Sequence, residues 1–179
     1  TTMIGMSSVV ARGDLIRKIS IPRYLVVMSS SASALINLLL NLAVVLVFAL
    51  IDGIRPSIEW LLVPVLVTEL FVLSSAVAFF LAALFVRFRD VTYIWEVIMQ
   101  AGFYGTPILY AMTSVASLVP LHIQKLLLLN PVAQIIQDMR YVVVTDTTNT
   151  GWRLLPFEYA VIPLVLIAAI SIFSVIYFK

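Results

Sequence analysis

The sequence predicts an all-α integral membrane protein with four membrane-spanning helices and a re-entrant helical hairpin. Three observations carry this expectation. Hydrophobic residues make up 63% of the 179-residue chain and charged residues 11%, whereas soluble domains carry about a quarter charged residues. The apolar residues collect in long, nearly charge-free runs, and the mean hydropathy is +1.13, which is the pattern of membrane segments. The basic residues next to the runs favour one side, as the positive-inside rule describes, a modest bias because Arg55, Lys125, Arg140 and Arg153 fall on the other.

Taken in order, residues 1–23 read as a cytosolic segment that also holds the end of a preceding helix. The chain opens on Thr1 without an initiator Met, so residues are expected upstream. The first span, 24–51, has no charge and as a helix would reach about 42 Å. A hydrocarbon core is about 30 Å thick, so the helix tilts or protrudes. Within it, Ser29 to Ala34 are small residues that permit close helix contact. A polar link, 52–59, leads to the second span, 60–86, which Pro64 and Glu69 interrupt. The third span covers 91–112 and the fourth 157–178, closed by Lys179.

Arg12, Arg17, Lys18 and Arg23 precede the first span, and Arg87 and Arg89 follow the second. With both groups in the cytosol, the third span exits and 113–156 lies outside. That outer segment holds two apolar stretches too short to span, separated by Asn130-Pro131. Such stretches read as re-entrant or interfacial pieces, and Pro131 cannot continue a helix. A helical hairpin dipping back from the outer face is expected, with Asn130, Pro131 and Arg140 as its marked residues. The alternative is one irregular fifth crossing, which would reverse the side of Lys179.

Several polar and aromatic residues are candidates for function. Glu69 lies about nine residues into its span, where a charge is costly and normally faces protein or water. It is read either as a polar contact in a substrate path or subunit interface, or as a carboxyl bonded to a nearby Ser or Thr. Glu96 is read chiefly as an interface residue. On the third span, Trp95, Phe103 and Tyr110 fall within a sector about 80° wide, and Tyr93 and Tyr104 lie roughly opposite. Aromatic faces suit sugar rings, whose C–H faces stack on them. An interfacial aromatic belt explains Tyr93, Trp95 and Tyr110 as well, but not Phe103 and Tyr104, which sit mid-span beside Gly102 and Gly105.

Other chemistries find little support. Without cysteine, thiolate metal sites, disulfides and cysteine catalysis are excluded. The single His122 has no neighbouring ligand for a metal, and no Walker A, G-x-S-x-G or H-E-x-x-H sequence is present. A nucleic-acid partner is not expected, because the net charge is only +2 and no basic face is built. The segment holding Arg12, Asp14, Arg17, Lys18 and Arg23 reads either as a coupling element for a soluble motor or as a lipid-binding juxtamembrane stretch.

These landmarks resemble those of a known family. Leu15-Ile16-Arg17-Lys18 and Ile21-Pro22-Arg23 ahead of a long span are similar to the cytosolic segment of ABC-2 type permeases that export polysaccharides. Arg87-Phe88-Arg89-Asp90-Val91, Thr106-Pro107-Ile108-Leu109-Tyr110, Leu129-Asn130-Pro131 and Met139-Arg140-Tyr141 follow in the same order as in the permease subunits of O-antigen and teichoic-acid exporters. Ile21 departs from the Phe that the family often carries there, and Glu69 matches no family motif.

The resemblance implies a six-helix permease of which about the C-terminal two-thirds is represented, so the first helix and most of the second would be missing. It implies a single permease domain over 1–179, pairing of two copies, and docking of each on a separate ATPase that binds ATP and Mg. Arg12 to Arg23 would face that ATPase, and the third span would be the family's fifth helix. The substrate would be a lipid-linked polysaccharide crossing a bacterial cytoplasmic membrane. The chain itself would bind no cofactor or metal and catalyse no reaction. Rival expectations are a permease for a drug or small lipid, a membrane enzyme acting on lipid-linked sugars through Asp138, Asp146 or Glu158, and a non-transporting scaffold.

Overall fold

A computed structural model describes residues 2–3, 23–108, 120–144, 150–151, 155 and 160–178. Among these residues every regular element is helical and no strand occurs. The helices are α1 (Arg23–Ile51), α2 (Val63–Arg87), α3 (Val91–Gly105), α4 (Leu121–Leu128), α5 (Pro131–Val143) and α6 (Ile162–Phe178), with a 3₁₀ turn at Ile58–Leu62 ahead of α2.

Two helical stretches, Tyr24–Ile51 and Ile58–Arg87, are long and apolar enough to cross a membrane. On α1, Ile36, Leu40, Val44, Val47 and Phe48 are all exposed, an apolar surface larger than water-soluble proteins present. The chain is a membrane protein. Five polar side chains in these two helices turn back on their own backbone. Ser30, Ser33 and Asn41 donate to the carbonyls of Val27, Ser29 and Asn37 at 2.8, 3.0 and 2.8 Å. Thr68 and Ser74 donate to Pro64 and Phe71 at 2.8 and 3.1 Å. Such back-bonding satisfies a hydroxyl or amide where water is absent.

The helix ends follow local chemistry. α1 stops in a Schellman arrangement: Ile54 N–H donates to Ala49 at 3.0 Å and Gly53 N–H to Leu50 at 3.1 Å. Gly53 takes φ +84°, the left-handed conformation that glycine adopts without steric cost. Pro64 does not interrupt the second span, because it stands in the first turn of α2, where a missing N–H costs nothing. α3 is shorter than the 91–112 expected: it ends at Gly105, and Thr106-Pro107-Ile108 form a turn. Pro107 supplies no N–H and turns Thr106 away from helical geometry. Residues 109–112 lie outside the described residues.

Within 113–156, two helices, α4 and α5, flank Asn130. Asn130 caps α5, its Oδ1 accepting from Val132 N–H at 3.0 Å, and Pro131 occupies the first helical position. α6 covers Ile162–Phe178; the expected start of the fourth span, 157–159, lies outside the described residues.

The chain forms two compact units. The first comprises Thr1–Leu42, Phe71–Ile98 and Ala168–Lys179. Its core contains Val27, Ala78 and Ala82 with Phe79 against them, and Leu81 with Val91, flanked by Val77, Phe85 and Trp95. Phe80 and Phe173 meet with ring centroids 5.7 Å apart, a separation at which tilted aromatic pairs attract. The second unit comprises Ala43–Leu70 and Met99–Ile167. Leu128, Leu155 and Ala160 form its apolar cluster, and the polar face of α5 completes its interior.

Candidate functional site

The second unit is organised around α5. Gln134, Gln137, Asp138 and Tyr141 recur at helical spacing and therefore share one face. In a surface helix that face would meet solvent. Here Gln134 and Gln137 are 3% and 0% exposed, and Asp138 and Tyr141 are half-buried. Buried polar side chains need partners, and α5 finds several in backbone that other segments leave open.

The break after α3 is one of these places. Gln137 Nε2 donates to Pro107 O at 3.4 Å, and Arg140 Nη2 donates to Ile108 O at 3.1 Å. A helix that breaks leaves carbonyls without intrahelical donors, and α5 supplies two donors. Farther along, Gln134 Nε2 donates to Ala160 O at 3.2 Å, just ahead of α6. Gly151 fits against this amide. A Cβ there would lie 3.0 Å from Gln134 Nε2. At the other end of α5, Tyr141 Oη donates to Glu59 Oε1 at 3.2 Å, fastening α5 to the 3₁₀ turn.

A cavity of about 450 Å³ opens beside this face. Leu62, Val65, Leu66, Val142 and Leu164 form apolar walls, and Glu69, Gln134, Asp138, Tyr141 and Thr150 contribute polar groups. Glu69, which the sequence marked as a residue facing protein or water, is a half-buried lining residue. A second cavity of about 410 Å³ shares Tyr141 and Val142 with the first and is lined also by Arg55, Ser57, Glu59 and Trp60.

The aromatic candidates of α3 divide between the two units. Phe103 and Tyr104 belong to the second, where they are 40% and 66% exposed. Their rings meet edge-on with centroids 5.6 Å apart. The flanking Gly102 and Gly105 have nothing within 4 Å of a built Cβ, so the surface around the pair is open. Trp95 belongs to the first unit, packs beside Leu81 and Val91, and donates from Nε1 to Thr2 Oγ1 at 3.1 Å. Tyr110 lies outside the described residues.

Of the expected coupling residues, Arg12, Asp14, Arg17 and Lys18 lie outside the described residues, and Arg23 opens α1. Asp146, Glu158 and Lys179 also lie outside them. His122 is exposed on α4. No group of three or more metal-ligating side chains occurs among the described residues.

Gln134, Gln137 and Glu59 are not among the residues the sequence marks, and Tyr141 is marked only as part of Met139-Arg140-Tyr141. The helical spacing of Gln134, Gln137, Asp138 and Tyr141 is the signal that could find them. That this stripe faces inward follows only from the open carbonyls at 107, 108 and 160.

An all-helical membrane protein with a broken third helix, stitched by a polar helix from the following segment, is the class these observations define. Comparison with known proteins narrows it. The chain is 31% identical over 111 residues to the O-antigen export system permease protein RfbA of Myxococcus xanthus, covering 62% of this chain and 43% of that protein. It is 25% and 26% identical over 143 residues to two proteins of the same name from Klebsiella pneumoniae, covering 79% of this chain and 54% of each. No protein-family model matches. The chain thus spans about half the length of these relatives. Its resemblance to polysaccharide-export permeases of the ABC-2 type, first seen in short motifs, extends along most of its length.

Proposed function

We propose that this chain is part of the membrane subunit of an ABC exporter that moves a lipid-linked polysaccharide outward across a bacterial cytoplasmic membrane. The observation that carries the reading is the similarity to O-antigen export permeases over as many as 143 residues. In this reading the chain crosses the membrane four times, with α4 and α5 as the re-entrant hairpin on the outer side. Two copies pair, and each engages a separate ATPase through Arg12, Asp14, Arg17, Lys18 and Arg23. ATP and Mg are bound by that partner, and this chain carries no catalytic residue and no cofactor. The exposed Phe103 and Tyr104 line the glycan path, offering ring faces to sugar C–H surfaces.

The stitched break after α3 gives the reading a physical form. Irregular backbone at membrane depth is tolerated where it lies within protein or lines a water-filled cavity, and a hydrated glycan needs such a lining. The test is affinity purification of the full-length tagged protein in mild detergent, with co-purifying chains identified by mass spectrometry. Recovery of a Walker A-containing ATPase in equal amount is expected. Recovery of the permease alone, under conditions that preserve a known exporter complex, overturns the reading.

A further inference from the structure

We propose that the cavity beside α5 binds an organic ammonium ion with an apolar body. Its volume of about 450 Å³ falls within the range of sites for drug-sized molecules, about 300–1,000 Å³. The walls are mostly aliphatic, and the polar groups are predominantly acceptors. Glu69 and Asp138 contribute carboxyl groups, and no Lys or Arg lines the cavity among the described residues. Among the described residues an anionic ligand would meet no basic side chain there, whereas an ammonium group would meet the carboxyl groups of Glu69 and Asp138.

A further observation points the same way. Gln134 is 3% exposed and its Nε2 is used on Ala160 O, but its carbonyl oxygen is buried without a hydrogen-bond donor. A buried unsatisfied carbonyl is costly, and an N–H donor reaching it would relieve that cost. Position adds to the argument. Tyr141 is fixed to Glu59, while Gln134 and Asp138 precede Tyr141 along α5, Val142 directly follows it, and the lining residues of α2 follow Glu59. The two helices therefore line the cavity antiparallel, placing Glu69, Gln134 and Asp138 toward the end away from Glu59. Leu62, Val65 and Val142 accompany the other end. The site thus has an acceptor end and an apolar end, which fits an ammonium group attached to a hydrocarbon or aromatic body.

The test uses the full-length protein in lipid nanodiscs, titrated with ethidium, an aromatic cation bearing amino donors, and read by fluorescence anisotropy against empty nanodiscs. Saturable binding is expected, with fluorescein, an anion of similar size, unable to displace the probe. Glu69→Gln combined with Asp138→Asn should weaken binding at least tenfold while the variant elutes and melts as the unaltered protein does. Uptake no greater than that of empty nanodiscs overturns the proposal. So does equal displacement by fluorescein, or unchanged affinity in a folded double variant. Should that variant not fold, the competition on the unaltered protein decides. The readout needs neither ATPase nor glycan, so it stands or falls separately from the export reading.

Discussion

Arg140 on α5 holds the carbonyl of Ile108, donating from Nη2 at 3.1 Å across 32 residues of sequence. The contact joins two short motifs that look unrelated in the chain, Thr106-Pro107-Ile108 and Met139-Arg140-Tyr141. One opens a helix and exposes its carbonyls. The other closes the gap.

Arg140→Met keeps most of the side chain's length and removes its donors. It should destabilise the protein by about 1.5–3 kcal/mol, the range for hydrogen bonds to charged groups. Thermal unfolding in detergent checks this, and an unaltered melting temperature would show that the stitch contributes nothing.

Tyr141 and Glu59 form the second tie of α5. A double-mutant cycle with Tyr141→Phe and Glu59→Gln should give a coupling energy of about 1 kcal/mol, as for a modest hydrogen bond. Strict additivity of the two single changes in denaturant unfolding would remove this bond from the account.

Gly151→Ala would place a methyl 3.0 Å from Gln134 Nε2. The amide must shift and its bond to Ala160 weaken, at a cost of about 1 kcal/mol. In a Gln134→Ala background the same change should cost little. A penalty equal in both backgrounds would locate the strain elsewhere.

Phe103→Ala with Tyr104→Ala should reduce glycan export several-fold, since each aromatic face contributes roughly 0.5–1.5 kcal/mol beyond its area. ATP turnover by the assembled exporter should change less. Equal losses in both assays, or no loss of export, would take these two residues out of the path.

Arg17→Glu with Lys18→Glu reverses two charges in the segment expected to meet the ATPase. Recovery of the ATPase with the tagged permease should fall by at least tenfold while the permease elutes unchanged. Undiminished recovery would assign that segment to lipid instead.

The sequence was most informative where the bilayer alone dictates the pattern. α1 runs from Arg23 to Ile51, within a residue of the charge-free stretch, because lipid demands apolar side chains all round. α2 was nearly as legible, although Pro64 reads as an interruption unless it is recognised as a first-turn residue. The third helix was overextended, because hydropathy continues through Leu109 to Met112 while Pro107 has already removed a donor. α5 was legible as an element, from Asn130 and Pro131, but its orientation was not. A stripe of Gln, Asp and Tyr normally faces water, and only knowledge of the carbonyls left open at Pro107, Ile108 and Ala160 reverses that expectation. Glu69 was marked by its cost in lipid. The residues sharing its cavity come from the turn and α2, from α5, from Thr150 and from α6, and nothing local in the sequence joins them.

The hydroxyls and amide that α1 and α2 spend on themselves have a mechanical consequence. Ser30, Ser33, Asn41, Thr68 and Ser74 each bond a carbonyl on the same helix, so none of these five bonds crosses to a neighbour. A helix so arranged can rotate about its axis or slip lengthwise without breaking those bonds. For these side chains polarity acts as a lubricant rather than an adhesive.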